Sequence, residues 1–435
     1  MCVLLAYEAP SDSLIVRLST AFSRNDPLEI HILFHELIST AYKNHYASGN
    51  LWHNYLTHFI LSNENFFSLA CERRDPPQGS LRDVALHDFE AFMRLYSLNN
   101  DHMHYIDNFT VGTLPYLTSR PYLASRPYLA SPNLGEEQKE GYVPKGEEHK
   151  EGYFLCEISK AIAECTSPQK IYDIVTNFYR RHGIGKLAFN RAFRFDGQDL
   201  HPVEHVGNVK LSDLVGYEAQ KRELVANTEA FVSGRPANNV LLYGDGGTGK
   251  STSVKAILNE YESRGLRVIE IYKHQFRDIL KLSEILRERN YKFILFIDDL
   301  SFEEGEVEYK YLKAVIEGGI ETRPDNILIY ATSNRRHIVR EVWRDRDDME
   351  HKGDIHRSDT VEEKLSLSSR FGIAINYSSP DRNMYHEIVR SLAESAGIEV
   401  NDELFAGADR WEIRHGGKTG RAARQYVDYL LGRKA

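Results

Sequence analysis

The octapeptide Gly244–Ser251, reading Gly-Asp-Gly-Gly-Thr-Gly-Lys-Ser, constrains this chain more than any other feature. It fits the phosphate-loop pattern G-x-x-x-x-G-K-[ST] at every fixed position. An apolar run, Asn239–Tyr243, precedes it, and the residues after it predict a helix over Ser251–Arg264. Strand, loop and helix in that order are the context the motif needs. Glycines let backbone N–H groups curl around phosphate oxygens, and the helix N-terminus adds a positive dipole end. Lys250 can reach the β- and γ-phosphates and Ser251 can ligate Mg²⁺. The loop therefore implies nucleoside triphosphate binding, with Gly244, Asp245, Gly246, Gly247, Thr248, Gly249, Lys250, Ser251 and Thr252 lining the phosphates.

A phosphate-loop site needs a second half, an apolar strand that ends in acid. The run Phe293–Ile297 followed by Asp298-Asp299 supplies it one βα unit downstream. Parallel sheets present ligands at the C-terminal ends of their strands. Asp298 is placed to hold Mg²⁺ opposite Ser251, and Asp299 to orient or deprotonate the attacking water. Asn334, just beyond Ile329–Ser333, is a candidate for the γ-phosphate or the water, with Thr332 next. Asn334 is also a good cap for a helix starting at Arg335, so two readings stand. Arg370, after Ser368-Ser369, could reach a neighbouring subunit's γ-phosphate or make a surface ion pair. Arg421 and Arg424 could fold over the nucleotide or complement their own helix dipole.

Strand segments at Asn239–Tyr243, Arg267–Ile271, Phe293–Ile297, Ile327–Thr332 and Ile373–Tyr377 alternate with helical segments. Short apolar strands between helices predict a five-stranded parallel sheet covered on both faces. Residues 380–435 read as a small helical unit opening at Pro380-Asp381. Residues 1–111 read as helical, with Leu81, Ala85, Phe89, Phe92 and Tyr96 at helical spacing and an aromatic-rich core stretch over Leu51–Phe67. Residues 112–152 differ: PYLTSR, PYLASR and PYLASP repeat from Pro115, and GEEQKEGYVPK is followed by GEEHKEGYFLC from Gly135. These units are too short for a solenoid and recurrent proline blocks regular structure, so a mobile insertion is expected. Ile171, Ile174, Val175 and Phe178 share a helical face over 153–195, with Gly183 as a stop. The expected parts are thus 1–111, 112–152, a connecting 153–203, an α/β core over 204–379 and a helical 380–435.

A net charge of −9 argues against a generic basic nucleic-acid coat, so nucleic acid is a partner that charge does not support. Cys2, Cys71, Cys156 and Cys165 lack CxxC spacing and suggest a reducing, cytoplasmic compartment. The N-terminus carries no basic leader, and no apolar stretch is long enough to span a bilayer. His31 and His35 share a helix face without the order of a zincin, and His102 and His104 add no metal-ligand spacing. The mixed charges over Asp345–Asp359 read as a solvated loop.

Taken together these elements resemble the AAA+ ATPases, and more closely a prokaryotic AAA+ family of unknown function. The matching stretches are Leu211–Ser251, Lys292–Glu304, Leu312–His337, Glu362–Gly372 and Gly416–Leu431, with a weaker match over Asn54–Glu72. The resemblance implies ATP and Mg as ligands, a C-terminal helical lid, and assembly of identical subunits into a ring or arc. It gives Asn334 the sensor-1 role, Arg370 that of an arginine finger acting in trans, and Arg421 the sensor-2 role. Val215, Gly216 and Tyr217 would flank the adenine. A protein client is implied, recognised through the helical N-terminal region.

Two departures from the family pattern matter. Most members have Asp-Glu where this chain has Asp298-Asp299, as helicase loaders and replicative initiators also do. The shorter acid implies slow turnover, with Glu303 or Glu304 as substitutes. Between Ile271 and the next helix, Tyr272–Gln275 leaves little room for a threading loop, which counts against an unfoldase. An ATP hydrolase coupled to remodelling or assembly leads. A slow nucleotide-gated switch and a loader acting on a DNA-bound protein stay open.

Overall fold

A computed structural model describes residues 4–24, 26–43, 50–73, 76–97, 150–302, 306–317, 324–334, 367 and 369–433. The chain divides into two compact units, Met1–Phe189 and Asn190–Ala435. The repeats lie almost wholly outside the described residues, as do His102, His104, Glu303, Glu304, Arg335, Asp345–Asp359 and Ser368.

The first unit is helical: α1 (Leu14–Arg24), α2 (Pro27–Lys43), α3 (Leu51–Ser62), α4 (Phe66–Arg73), α5 (Ser80–Ser97), α6 (Lys150–Ala163), α7 (Pro168–His182) and α8 (Gly185–Phe189). Helix α7 shows why. Pro168 occupies its first turn, where the missing N–H costs nothing, and Gly183 ends it at φ 70°. Between them Ile171, Tyr172, Val175, Phe178 and Tyr179 bury one stripe. On α5, Ala85, Phe89, Phe92 and Tyr96 are buried, as the spacing predicts. Trp52 and Tyr55 of α3 join this core, but Phe66 is exposed. Buried Asp88 accepts N–H bonds from Leu5, Ala6 and Tyr7 at 2.7–3.0 Å and so ties the N-terminal segment to α5. The Tyr7 and Tyr179 hydroxyls meet at 3.0 Å, and Tyr179 donates to the Ile60 carbonyl.

The second unit holds a sheet of seven strands rather than five. They are β1 (Ala192–Phe195), β2 (Leu200–Pro202), β3 (Val240–Gly244), β4 (Leu266–Glu270), β5 (Lys292–Ile297), β6 (Ile327–Ser333) and β7 (Ile373–Tyr377). The order is β2-β1-β4-β5-β6-β3-β7. All neighbours run parallel except the β1–β2 pair. The five predicted strands are present. The added pair replaces the end of the helical reading of 153–195. Phe193 and Phe195 are buried while Arg194 faces out, and so short an alternation carries little periodic signal. Helices α9 (Glu218–Val232), α10 (Lys250–Tyr261), α11 (Ile279–Arg287) and α12 (Glu308–Glu317) connect the strands. Every residue of β6 is buried, as a parallel sheet covered on both faces requires.

Three helices end the unit, α13 (Arg382–Ser395), α14 (Asp402–Arg414) and α15 (Gly420–Arg433). Tyr385, Val389, Ala393, Ala408, Ala423 and Tyr426 form their shared core. Asp381 caps α13 by accepting from the Met384 N–H.

Candidate functional site

Strand β3 lies between β6 and the edge strand β7, so its C-terminal loop opens between the ends of those two strands. Gly244 sits at φ 133°, and a Cβ there would fall 2.2 Å from the Tyr377 carbonyl oxygen. Only glycine permits that approach to β7. Gly249, at φ 99°, turns the chain into α10, whose first residue is Lys250. The N-terminal N–H groups of α10 therefore face the same loop as the lysine.

Lys250 is buried at 6% exposure. Its ammonium donates to the carbonyls of Gly244 (2.9 Å) and Asp245 (2.7 Å) and to Asn334 Oδ1 (3.1 Å). Burial lowers its pKa from the ordinary lysine value, and Arg421 adds to that fall. Asp245, Asp299 and Asp298 pull the other way. The amide of Asn334 also donates to Asp299 Oδ1 at 2.8 Å. It thus joins the loop lysine to the strand-end acid.

Asp298 Oδ1 accepts from the hydroxyls of Ser251 and Thr332, each at 2.6 Å. Thr332 Oγ1 in turn accepts from the Asp299 N–H at 2.9 Å. Asp299 is in the left-handed region, φ 53°, where Asp is among the few tolerated side chains. The Leu300 N–H bond to the Thr332 carbonyl holds this turn against β6. Ser251 and Asp298 offer adjoining hard oxygens. That donor set suits Mg²⁺, which takes one or two carboxylates and completes its shell with phosphate and water. A cavity of about 300 Å³ at the ends of β4 and β5 is lined by Asp298, Asp299, Tyr272, Lys273 and His274, and by no residue of the loop.

The last helices approach the loop from above the sheet end. The Arg421 N–H donates to the Gly247 carbonyl at 3.2 Å. A Cβ on Gly247 would lie 3.0 Å from that of Arg421. The Arg421 side chain is exposed beside the loop. Val215 packs against the core of the last three helices, with Gly216 next to Met384. Tyr217 stacks on Tyr377, with ring centres 5.0 Å apart, and its hydroxyl donates to the Ser378 carbonyl at 2.8 Å. Burial pushes the Tyr217 phenol up to about 12.

The structure therefore brings Lys250, Ser251, Asp298, Asp299, Thr332, Asn334 and Arg421 together. Arg370 stands apart. It precedes β7, and Tyr377 at the far end of that strand is the residue level with Gly244. The rise of a strand puts some 15–20 Å between Arg370 and the loop of its own chain. Tyr377 and Ser379, which bond to Asp245 of the loop at 3.0 and 2.7 Å, lie in no local motif. An acid at the second position of the loop, Asp245, was the available signal.

A family described as "Protein of unknown function (DUF815)" matches residues 188–434. The cell division cycle protein 48 homolog of Archaeoglobus fulgidus is 30% identical over 197 residues, 40% of this chain and 24% of that protein. The replication factor C large subunit of Staphylothermus marinus is 35% identical over 69 residues, 16% of each. The chain thus spans about a quarter or less of the length of these relatives. Among solved structures, the Thermotoga maritima RuvB Holliday junction branch migration motor is 21% identical. It aligns with a TM-score of 0.35 over 52% of this chain and 66% of that one. Among the described residues no helix is long and apolar enough to cross a membrane. The chain belongs to the DUF815 family, whose model covers nearly all of its second unit.

Proposed function

We propose that this chain hydrolyses ATP with Mg²⁺ and uses the cycle to remodel or assemble a protein partner. One observation carries the reading: an unbroken chain of hydrogen bonds links Lys250, Asn334, Asp299, Thr332, Asp298 and Ser251. Side chains suited to a γ-phosphate, a metal ion and a water are joined in that chain. The loop N–H groups and Lys250 take the phosphates, and Val215, Gly216 and Tyr217 flank the adenine. Ser251 and Asp298 would hold Mg²⁺, which would supply positive charge against the phosphates. Asp299, oriented by Asn334, accepts a proton as water oxygen bonds to the γ-phosphorus. The bond from that phosphorus to the bridging oxygen breaks and ADP leaves. Arg421 supplies positive charge from the lid.

Arg370, out of reach of its own loop, serves the next subunit in a head-to-tail ring or arc. Steady-state ATPase assays across a range of protein concentrations test this. Arg370→Ala should lower the rate by about 10³-fold or more at every concentration. Full activity of that variant at high protein concentration would make the trans assignment wrong.

A second reading, a slow nucleotide-gated switch, is favoured by Asp299 itself. Its short side chain is committed to Asn334, and its backbone is held at φ 53°. Single-turnover kinetics separate the two readings. A turnover slower than about one per hour, against a usual range of roughly 1–10³ per second, would favour the switch.

A further inference from the structure

The phosphate loop carries an acid, Asp245, at a position where negative charge opposes the phosphates. Its carboxylate is turned to a different task. Oδ2 accepts from the Ser379 N–H at 2.7 Å, and the Asp245 N–H donates to the Tyr377 carbonyl at 3.0 Å. The two bonds bracket Tyr377–Ser379, the segment in which β7 gives way to the lid. The next residue, Pro380, has no N–H, and Asp381 already caps α13. Ser379 therefore carries the last backbone donor that the core can hold before the lid begins. The bonds to Ser379, and beside them Lys250, keep the Asp245 carboxyl below the ordinary carboxylate range.

The same segment is held from the adenine side. Tyr217 stacks on Tyr377 and donates to the Ser378 carbonyl. One short hinge is thus bonded both to the loop that would hold the phosphates and to the loop that would flank the base. A phosphate loop that shifts on filling would move Asp245, and with it the Ser379 N–H at the root of the lid.

We propose that Asp245 is a positioning residue that clamps the lid hinge to the phosphate loop and transmits nucleotide occupancy to the lid. The clamp stands on geometry alone. The transmission rests on the ATP-binding reading.

Amide hydrogen exchange on the full chain tests both parts. Without nucleotide, Asp245→Ala should speed exchange of the Ser379 amide by about tenfold, the loss of one charge-assisted hydrogen bond. Asp245→Asn keeps an acceptor and should stay near wild type, as should Ser379→Ala, which keeps the N–H. Ser379→Pro removes the donor with Asp245 intact and has no amide of its own, so the hinge is read at the residue-245 amide, bonded to the Tyr377 carbonyl, which should exchange faster in both variants and so guards against a folding defect in either. Wild-type protection of Ser379 in Asp245→Ala would overturn the clamp. With ATP raised until each protein is equally filled, as read by fluorescent ATP, wild type should gain protection at the start of α15, whereas Asp245→Ala should lose most of that gain. An equal gain in both would overturn the transmission. A wild-type chain that binds no ATP would overturn the ATPase reading and the transmission with it, while the exchange without nucleotide would still decide the clamp.

Discussion

The two units use similar hydrogen bonds for opposite ends. In Met1–Phe189 the polar side chains that matter are sealed from water. Asp88 and Thr57 are fully buried, and each holds one segment of chain to another. In Asn190–Ala435 the decisive polar groups gather at one end of the sheet. Asp298, Asp299 and Asn334 are exposed there: Asn334 donates to Asp299, and Asp298 accepts from Ser251 and Thr332. Bonds of 2.6–3.0 Å serve folding when no water can replace them. Where water and ligand can, they serve chemistry. The comparison predicts that polar substitutions in the first unit cost stability, and that those at the sheet end cost activity.

The largest effect is expected at Lys250, which also tests the contrast most sharply because it is the buried charged side chain of the site. Lys250→Met should slow ATP hydrolysis about 10³-fold, some 4 kcal/mol in the transition state. Stability should move by no more than about 1 kcal/mol, because the lost charge was already desolvated. ATPase assays beside urea unfolding read both quantities. Asp88→Ala is the mirror case. It strands the N–H groups of Leu5, Ala6 and Tyr7, and should destabilise the chain by about 3–4 kcal/mol with ATPase activity per folded molecule unchanged. Unchanged stability in Asp88→Ala, or a large loss in Lys250→Met, would break the comparison.

The site was more legible in the sequence than the framework around it, for a physical reason. Phosphate binding demands particular residues at fixed local spacing, so Gly244–Ser251 announces itself. The strand before Asp298 is read from continuous burial, another local signal. What escaped detection joins distant positions. The Asp245–Ser379 bond spans 134 residues, and the bond from Thr332 to Asp298 spans 34. Which of two readings Asn334 would follow was likewise a question of which side chains folding brings near it. Strands β1 and β2 were missed because they are short and lie at one side of the sheet, where exposed Arg194 interrupts the apolar run. The aromatic density over Leu51–Phe67 predicts core for Phe66, yet it opens α4 on the solvent side.

The smallest effect expected concerns acid, and it asks whether burial alone can make a side chain in the first unit govern stability. His58 lies on α3 against the Phe189 ring, and burial lowers its pKa from the ordinary 6.5 to about 4. His31 and His53 are lowered too, again chiefly by burial. Between the two values of His58 the unfolded chain binds a proton that the folded chain refuses. Stability therefore rises with pH across that window and is lost as pH falls through it, by up to about 3 kcal/mol. Replacing His58 with Phe removes the titrating group while keeping an apolar ring beside Phe189. Urea unfolding at pH 7 and pH 4.5 should show a smaller acid loss in His58→Phe than in wild type. An equal loss in both would mean that the acid sensitivity lies elsewhere, and that a buried polar group in this unit need not control its stability.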